Sequence, residues 1–549
     1  MFKVVSIFTF LVAASVLPIF NSNMAMATPA IAGDKAPHGI AWETFADNNA
    51  DAIFARAKAT GRPVFLYWGA VWCPPCNQVK ANVFNRSDFI AKSQAFIPVY
   101  LDGDSKGAQR LGAQFKVTGY PTMVLLNVDG KELTRLPGEV DPSKYMQVLD
   151  LGLKARRPIK DVLEAALGSS AARATLLAAD WRLLAFYSWD TDASSLIKPD
   201  ALAQTLSSLA QVVPSDLTDL RDRVHLRAIG ANASSKASSL GVNESTKDIR
   251  LVNDLLTKLV TDPVMSRQNM DIVLYQAEPI LKTLSVTSPA QARAMLQLWM
   301  KSLDRLFNDA TLSTPDRLSA AAVRFSIAQL DLPGKSIGTR DQVTAKPKPP
   351  IAPDLVSYAR NAVTVAIRTA MDPTQRQAVI PAAADLLAEA GLLDESDALL
   401  KAELPKAIAP YYHMLGLASN AKTRRDSKSA IDWAGKAWDT SKGAATRLQW
   451  GASYINYLVD LSPDDNQKIE RTALAIISEL EPTPDVFYGR TARSLKRIGT
   501  KLNIWNKNSA HRASLELVQT RLTSVCKSLP ANEQSRNTCE AVFVEEKPL

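Results

Sequence analysis

Phe65-Leu66-Tyr67-Trp68-Gly69-Ala70-Val71-Trp72-Cys73-Pro74-Pro75-Cys76 is the stretch on which the reading of the chain turns. Its first half is an apolar, aromatic run with strand character, and it leads into two cysteines three positions apart. Asn77 to Phe84 then reads as a helix carrying Val79 and Val83 on one face. Two cysteines at a strand-to-helix junction can close a small disulfide ring, with the first placed where helix amide groups point outward. Those donors and the positive end of the helix dipole favour a thiolate, so Cys73 is expected to be the more acidic and reactive sulfur. Cys76, one turn into the helix, is the natural resolving thiol. As a structural staple the pair would do little, because the loop it closes is tiny and removes little chain entropy. The spacing points to redox chemistry. Pro74 and Pro75 have no backbone N–H, so two donors near the Cys73 sulfur are missing. A less stabilised thiolate makes the disulfide harder to reduce, which points to a reductant or isomerase-like protein rather than a strong oxidant.

Further along, Gly119-Tyr120-Pro121-Thr122 opens the apolar run Met123-Val124-Leu125-Leu126. With the aromatic strand and Trp72-Cys73-Pro74-Pro75-Cys76, this motif makes the chain resemble the thioredoxin superfamily. It looks closest to bacterial periplasmic thioredoxin-like domains, including the C-terminal domain of the Dsb-type membrane disulfide reductase. The resemblance implies that Pro121 is cis and that the backbone of Tyr120 pairs with a substrate strand. Trp72, Tyr120 and Pro121 would then form a docking surface beside the cysteines, although Trp72 also fits a purely structural role. The implied activity is thiol–disulfide exchange, in which Cys73 attacks a substrate disulfide and Cys76 displaces the reduced product. The implied partners are disulfide-containing protein substrates and a redox partner protein, and no cofactor is implied. One position departs from the pattern. Many thioredoxins carry a buried carboxylate six residues before the first cysteine, where Tyr67 stands here; water or another group must serve, or resolution is slow.

At 549 residues the chain is far too long for one such unit, and about 100–200 residues per domain suggests three or four. Around the motifs, helices are expected over 42–60, 75–84, 88–93, 106–115 and 141–154. Strands are expected over 64–68, 96–101, 122–127 and 132–136, the last two joined across Asp129-Gly130. This order gives an α/β thioredoxin-like domain over 35–155. Beyond Arg157 strand signals nearly vanish and helical stripes take over, such as Val252, Leu255, Leu256 and Leu259. Capping residues followed by proline recur at Ser288-Pro289, Thr314-Pro315, Asp372-Pro373, Ser462-Pro463 and Thr483-Pro484. Typical helix lengths suggest roughly 14–18 helices between Pro158 and Phe543.

The second part therefore reads as a large all-α, α-solenoid-like region, with helical domains over 158–333 and 354–549. The Pro- and Lys-rich stretch 333–353 is its best candidate linker. Between about Asp372 and Glu481, turns leading into new amphipathic helices follow Ala388, Ala418 and Val459. That spacing resembles tetratricopeptide-type repeats without keeping their Trp, Gly, Tyr and Pro signature.

Residues 1–27 have the layout of a secretory signal peptide: Lys3, an apolar segment from Val4 to Phe20, then Ala25-Met26-Ala27. An uncleaved anchor is the other reading. No later segment approaches the roughly 20 apolar residues of a membrane helix, so no stable span is expected after cleavage. Export would place the protein in the periplasm or outside the cell, where disulfides persist. The remaining cysteines, Cys526 and Cys539, flank a turn at Leu529-Pro530-Ala531-Asn532. They read as a structural disulfide stapling a helical hairpin, or as a second redox pair. A four-cysteine zinc site lacks the close spacing such sites show, and the four histidines are isolated, so no metal site is expected. The net charge of +9 is spread in short clusters, which fits solvated faces and excludes a nucleic-acid partner. Two functions follow. One is an exported thiol–disulfide oxidoreductase whose helical region selects substrates or docks a partner. The other is an envelope scaffold or assembly protein built on a helical array, with an accessory thioredoxin-like module.

Overall fold

A computed structural model describes residues 39–44, 50–105, 107–138, 141–192, 196–235, 246–332, 350–480 and 484–544. The leader expected over 1–27 and nearly all of the linker expected over 333–353 lie outside the described residues.

In chain order the first elements are β1 (Glu43–Thr44), α1 (Ala50–Thr60), β2 (Val64–Gly69), α2 (Pro74–Val79) and α3 (Ser87–Lys92). They continue with β3 (Ile97–Asp102), α4 (Ala108–Gln114), β4 (Thr122–Leu126), β5 (Glu132–Leu136) and α5 (Pro142–Leu153). The five strands form one sheet in the order β1-β3-β2-β4-β5. β2 runs parallel to β3 and antiparallel to β4. Every residue of β2 is buried, because helices cover both faces of the sheet and each side of the pleat needs apolar side chains. Phe65 and Tyr67 face Val79, Val83, Phe84, Tyr145 and Leu149. Val64, Leu66 and Trp68 face Ile53, Ala57 and Ala108 on the other side. This alternation aims the C-terminal end of β2, and with it the loop carrying the cysteines, out of one edge of the sheet.

Of the helix expected over 42–60, the described residues show Ala50–Thr60 as helix. Glu43 and Thr44 instead pair in parallel with Val99 and Tyr100 as an edge strand. The reason is Trp42, whose ring packs against Phe65, Tyr67, Phe84 and Tyr100 and holds this segment extended along the sheet. Pro98 is accommodated within β3 because pairing on the β1 side starts only at Val99.

Between Ile159 and Glu540 the described residues are mainly helical, with 21 α-helices against the 14–18 expected. The surplus comes from helices of one to two turns, such as Ser170–Arg173, Pro263–Gln268 and Met270–Tyr275, too short to leave a hydrophobic stripe. The first of these helices are tied to the sheet by Arg135 of β5. Its guanidinium is fully buried, pairs with Glu132 and donates to Phe115 O and Thr191 O. Further on, Pro373–Glu389 pairs with Leu393–Glu403, Pro410–Thr423 with Ser427–Thr440, and Ala444–Leu461 with Asn466–Ser478. The turns expected after Ala388, Ala418 and Val459 are the connections inside these three hairpins. Among the described residues no helix is long and apolar enough to cross a membrane.

Cys526, in helix Arg512–Ser528, is disulfide-bonded to Cys539, in helix Gln534–Glu540, with the Cα atoms 5.6 Å apart. A bridge closing a loop of this size removes unfolded-state entropy worth about 3 kcal/mol. Replacing both cysteines with alanine is expected to lower unfolding stability by about that amount in denaturant titrations. The redox behaviour of Cys73 and Cys76 should be unchanged, an outcome that separates a staple from a second redox pair.

Candidate active site

Cys73 occupies the cap position of α2, in extended backbone, with Pro74 and Pro75 in the first two helical positions. Its sulfur therefore receives a single backbone donor from the helix, Cys76 N at 3.2 Å. Asn77, buried, donates its side-chain amide to Val71 O at 2.8 Å and Cys73 O at 3.0 Å, which fixes the loop entering the helix. After Val79 the helix widens into a π-helical turn, Lys80–Phe84, so the helix expected over 75–84 is continuous but changes pitch halfway. Cys73 and Cys76 form a disulfide with Cα atoms 5.2 Å apart.

Across the loop, the Tyr120–Pro121 bond is cis, and Tyr120 O lies 3.5 Å from the Cys73 sulfur. The Tyr120 hydroxyl accepts from Gln109 Nε2 at 2.9 Å, and burial pushes its pKa up to about 12. Tyr67, the residue six positions before Cys73, is fully buried and stacked on Tyr100 at 5.2 Å. Cys73, Cys76, Trp72, Tyr120 and Pro121 are thus brought together. Cys526 and Cys539 form a separate disulfide in the C-terminal hairpin.

The helical region closes over this face. Cys73 is 3% exposed and Cys76 not at all, and both belong to one apolar core with Trp450, Tyr411 and Ala409. Trp72 packs edge-on against Trp450 at 4.9 Å and is stacked on Tyr412 at 6.2 Å. Its indole N–H donates to Thr446 Oγ1 at 2.9 Å, and its carbonyl accepts from Gln377 Nε2 at 3.4 Å.

Around this apolar patch, the two parts of the chain cap one another's helices. Helix Ala444–Leu461 begins after Gly443, which has no side chain to cap it, and Asp104 from the loop after β3 takes that role. Asp104 accepts from Thr446 N at 2.8 Å and from Thr446 Oγ1 at 2.5 Å. Helix Gly489–Trp505 begins after Tyr488, and Gln109 Oε1 accepts from Arg490 N at 3.1 Å. In return Asp485 accepts from Arg110 N at 3.0 Å, capping α4, which starts after Gly107. Each of these helix starts would otherwise leave amide donors without partners.

Asp104, Gln109, Gln377, Thr446, Asp485 and Arg490 were not singled out in the sequence. The one local signal is that the helix starts at Gly443 and Tyr488 lack a side-chain cap of their own.

A second polar contact joins α2 to helix Thr314–Ala328: Gln78 Nε2 donates to Asp316 Oδ1 at 2.5 Å, and Ser313 Oγ donates to Asp316 Oδ2 at 2.6 Å. Burial pushes the Asp316 carboxyl up to about 6. The folded protein then holds this proton more tightly than the unfolded chain does, so the contribution is fully present below about pH 4. It is lost as the pH rises through 6. Asp316→Asn should remove about 2 kcal/mol of that pH 4–6 decline, read from unfolding curves across the range.

For the cap on Ala444–Leu461, Asp104→Ala should cost about 1–2 kcal/mol. The expected result is faster hydrogen exchange at the Ala445 and Thr446 amides, together with faster alkylation of Cys73 in the reduced chain.

Residues 50–152 match the family model of a thioredoxin-like domain. Among curated proteins, 100 residues are 32% identical to the thiol:disulfide interchange protein DsbD 2 of Pseudomonas aeruginosa, covering 18% of this chain and 17% of that one. A stretch of 135 residues is 25% identical to the disulfide bond reductase DsbH of Chlamydia pneumoniae, covering 22% of this chain and 77% of that one. A solved structure of a DsbH oxidoreductase aligns at 23% identity with a TM-score of 0.19, covering 24% of this chain and 97% of that one. This chain thus spans less than a fifth of the length of DsbD 2, and the likenesses stop short of most of its helices. The part of the chain that carries Cys73 and Cys76 is a thioredoxin-like domain, related to Dsb thiol–disulfide proteins.

Proposed function

We propose that the chain is an exported thiol–disulfide oxidoreductase that works through Cys73 and Cys76 in the periplasm or outside the cell. The observation that carries the reading is the Cys73–Cys76 disulfide at the start of α2, with the Tyr120 carbonyl 3.5 Å from the Cys73 sulfur and a cis Pro121 beside it. In the reduced state the Cys73 thiolate attacks one sulfur of a substrate disulfide, and the other substrate sulfur leaves as a thiol. Cys76 then attacks the mixed disulfide, the substrate departs reduced by two electrons, and the Cys73–Cys76 ring closes. A redox partner protein returns the ring to the dithiol. Trp72, Tyr120 and Pro121 are the docking residues for disulfide-containing proteins, and the two prolines favour the reductive or isomerising direction. The helical region selects what reaches the site, a role supported by its seat on the redox face.

A second reading has an observation of its own. The disulfide is almost wholly buried and the two parts of the chain cap each other's helices, which fits an envelope scaffold with an accessory thioredoxin-like module. The full chain separates the two. As an oxidoreductase it reduces insulin with a small dithiol as donor, loses that activity in Cys73→Ser, and accumulates mixed disulfides with proteins in Cys76→Ser. As a scaffold it shows no Cys73-dependent reduction, and Cys76→Ser traps nothing.

A further inference from the structure

The Cys73 sulfur is poorly provided with donors by its own helix. Positions 74 and 75 are prolines, only the Cys76 amide reaches it, and α2 has six residues before the π-helical turn. The sulfur's surroundings are completed from the far end of the sequence. The Arg490 guanidinium lies 4.6 Å from the ring centre of Trp72 and 5.0 Å from that of Tyr120. Trp72 directly precedes Cys73, and the Tyr120 carbonyl is 3.5 Å from its sulfur, so this cation lies over the two residues that flank the reacting atom. Its backbone is pinned by the Gln109 side chain, so the thioredoxin-like domain itself sets where the cation stands.

Among the described residues no carboxylate forms an ion pair with Arg490. Asp104 acts on it from a distance but directs both oxygens to Thr446. Tyr120 and Tyr412 face it as neutral phenols, both with pKa raised by burial. Arg493 and Arg497 add further positive charge on the same helix. Burial, with these two like charges, pushes the Arg490 pKa down despite the pull of Tyr120.

We infer that Arg490 is a positioning residue of the redox centre, supplying to the Cys73 sulfur the positive potential that Pro74 and Pro75 withhold. The inference rests on the proposed reading of Cys73 as the attacking thiol. Cys73 S–H gives its proton to solvent, and the thiolate left behind is the anion stabilised by this cation, which has no ion-paired carboxylate among the described residues. The direction opposes that of the two prolines. With the helical region docked, the thiolate is favoured and the couple is more oxidising than the Cys-Pro-Pro-Cys sequence alone implies.

The test is a pH titration of the far-ultraviolet thiolate absorbance of the full chain, reduced with a small dithiol and desalted, with Cys73→Ser as the baseline. The unaltered protein should titrate below the free-cysteine value of about 8.5. Arg490→Gln should raise the midpoint by about one unit, a roughly tenfold loss of thiolate at a given pH below it. Arg490→Lys, which keeps the charge, should restore most of the shift. A midpoint that Arg490→Gln leaves unmoved, or that Arg490→Lys raises just as far, overturns the inference while leaving an acidic Cys73 in place. A Cys73 that titrates like free cysteine in the unaltered chain overturns the redox reading as well.

Discussion

The carboxylate of Asp104 accepts from the amide and the hydroxyl of Thr446, and that hydroxyl in turn accepts from the indole N–H of Trp72. One short line of hydrogen bonds thus ties the residue before the reactive cysteine to the start of helix Ala444–Leu461. The helix depends on it because Gly443 has no side chain with which to cap its own first turn. The glycine is in turn required: a Cβ at this positive-φ position would collide with the Asp104 carboxylate. Cap and capped helix are complementary in shape as well as in hydrogen bonding.

Two kinds of force act at this junction, and their sizes assign them different work. Burying a large side chain such as Trp72 among Tyr412 and Trp450 contributes about 2–3 kcal/mol, and the ring contacts add about 1 kcal/mol more. Each cross-cap contributes about 1 kcal/mol, because it replaces hydrogen bonds that water would otherwise supply. Apolar burial therefore supplies most of the strength. The caps supply the register, since a donor and acceptor must meet within about 3 Å. Asp104, Gln109 and Asp485 lock three helix ends at once, which leaves one way of seating the helical region on the sheet.

This seating changes the meaning of the cysteine motif. Judged from Cys73-Pro74-Pro75-Cys76 alone, the sulfur has one helix amide and nothing else. In the folded chain its neighbour Trp72 lies beneath a guanidinium contributed from more than four hundred residues away, and the Cys73–Cys76 ring is closed off from solvent by an apolar core. Access to Cys73 is a property of the assembled molecule.

The strands, the helix after the cysteines and the helical hairpins after Asp372 were legible because hydrophobic period, proline position and turn chemistry act over a few residues. The thioredoxin-like pattern was legible because its two motifs each sit at a local junction, the cysteines at the end of β2 and Pro121 at the start of β4. Where a local preference competed with a distant contact it misled: 42–60 has helical periodicity, yet Trp42 is held by the aromatic layer and draws Glu43 and Thr44 into the sheet. By itself, then, the sequence determined the fold of the first domain, the helical nature of the rest and the place of the Cys73–Cys76 pair at the end of β2. Only the tertiary structure decided that Asp104, Thr446 and Arg490 meet at Trp72, the residue before that pair. A helix start accepts any well-placed carboxylate and a thiolate any nearby cation, so neither need names its partner in the order of residues.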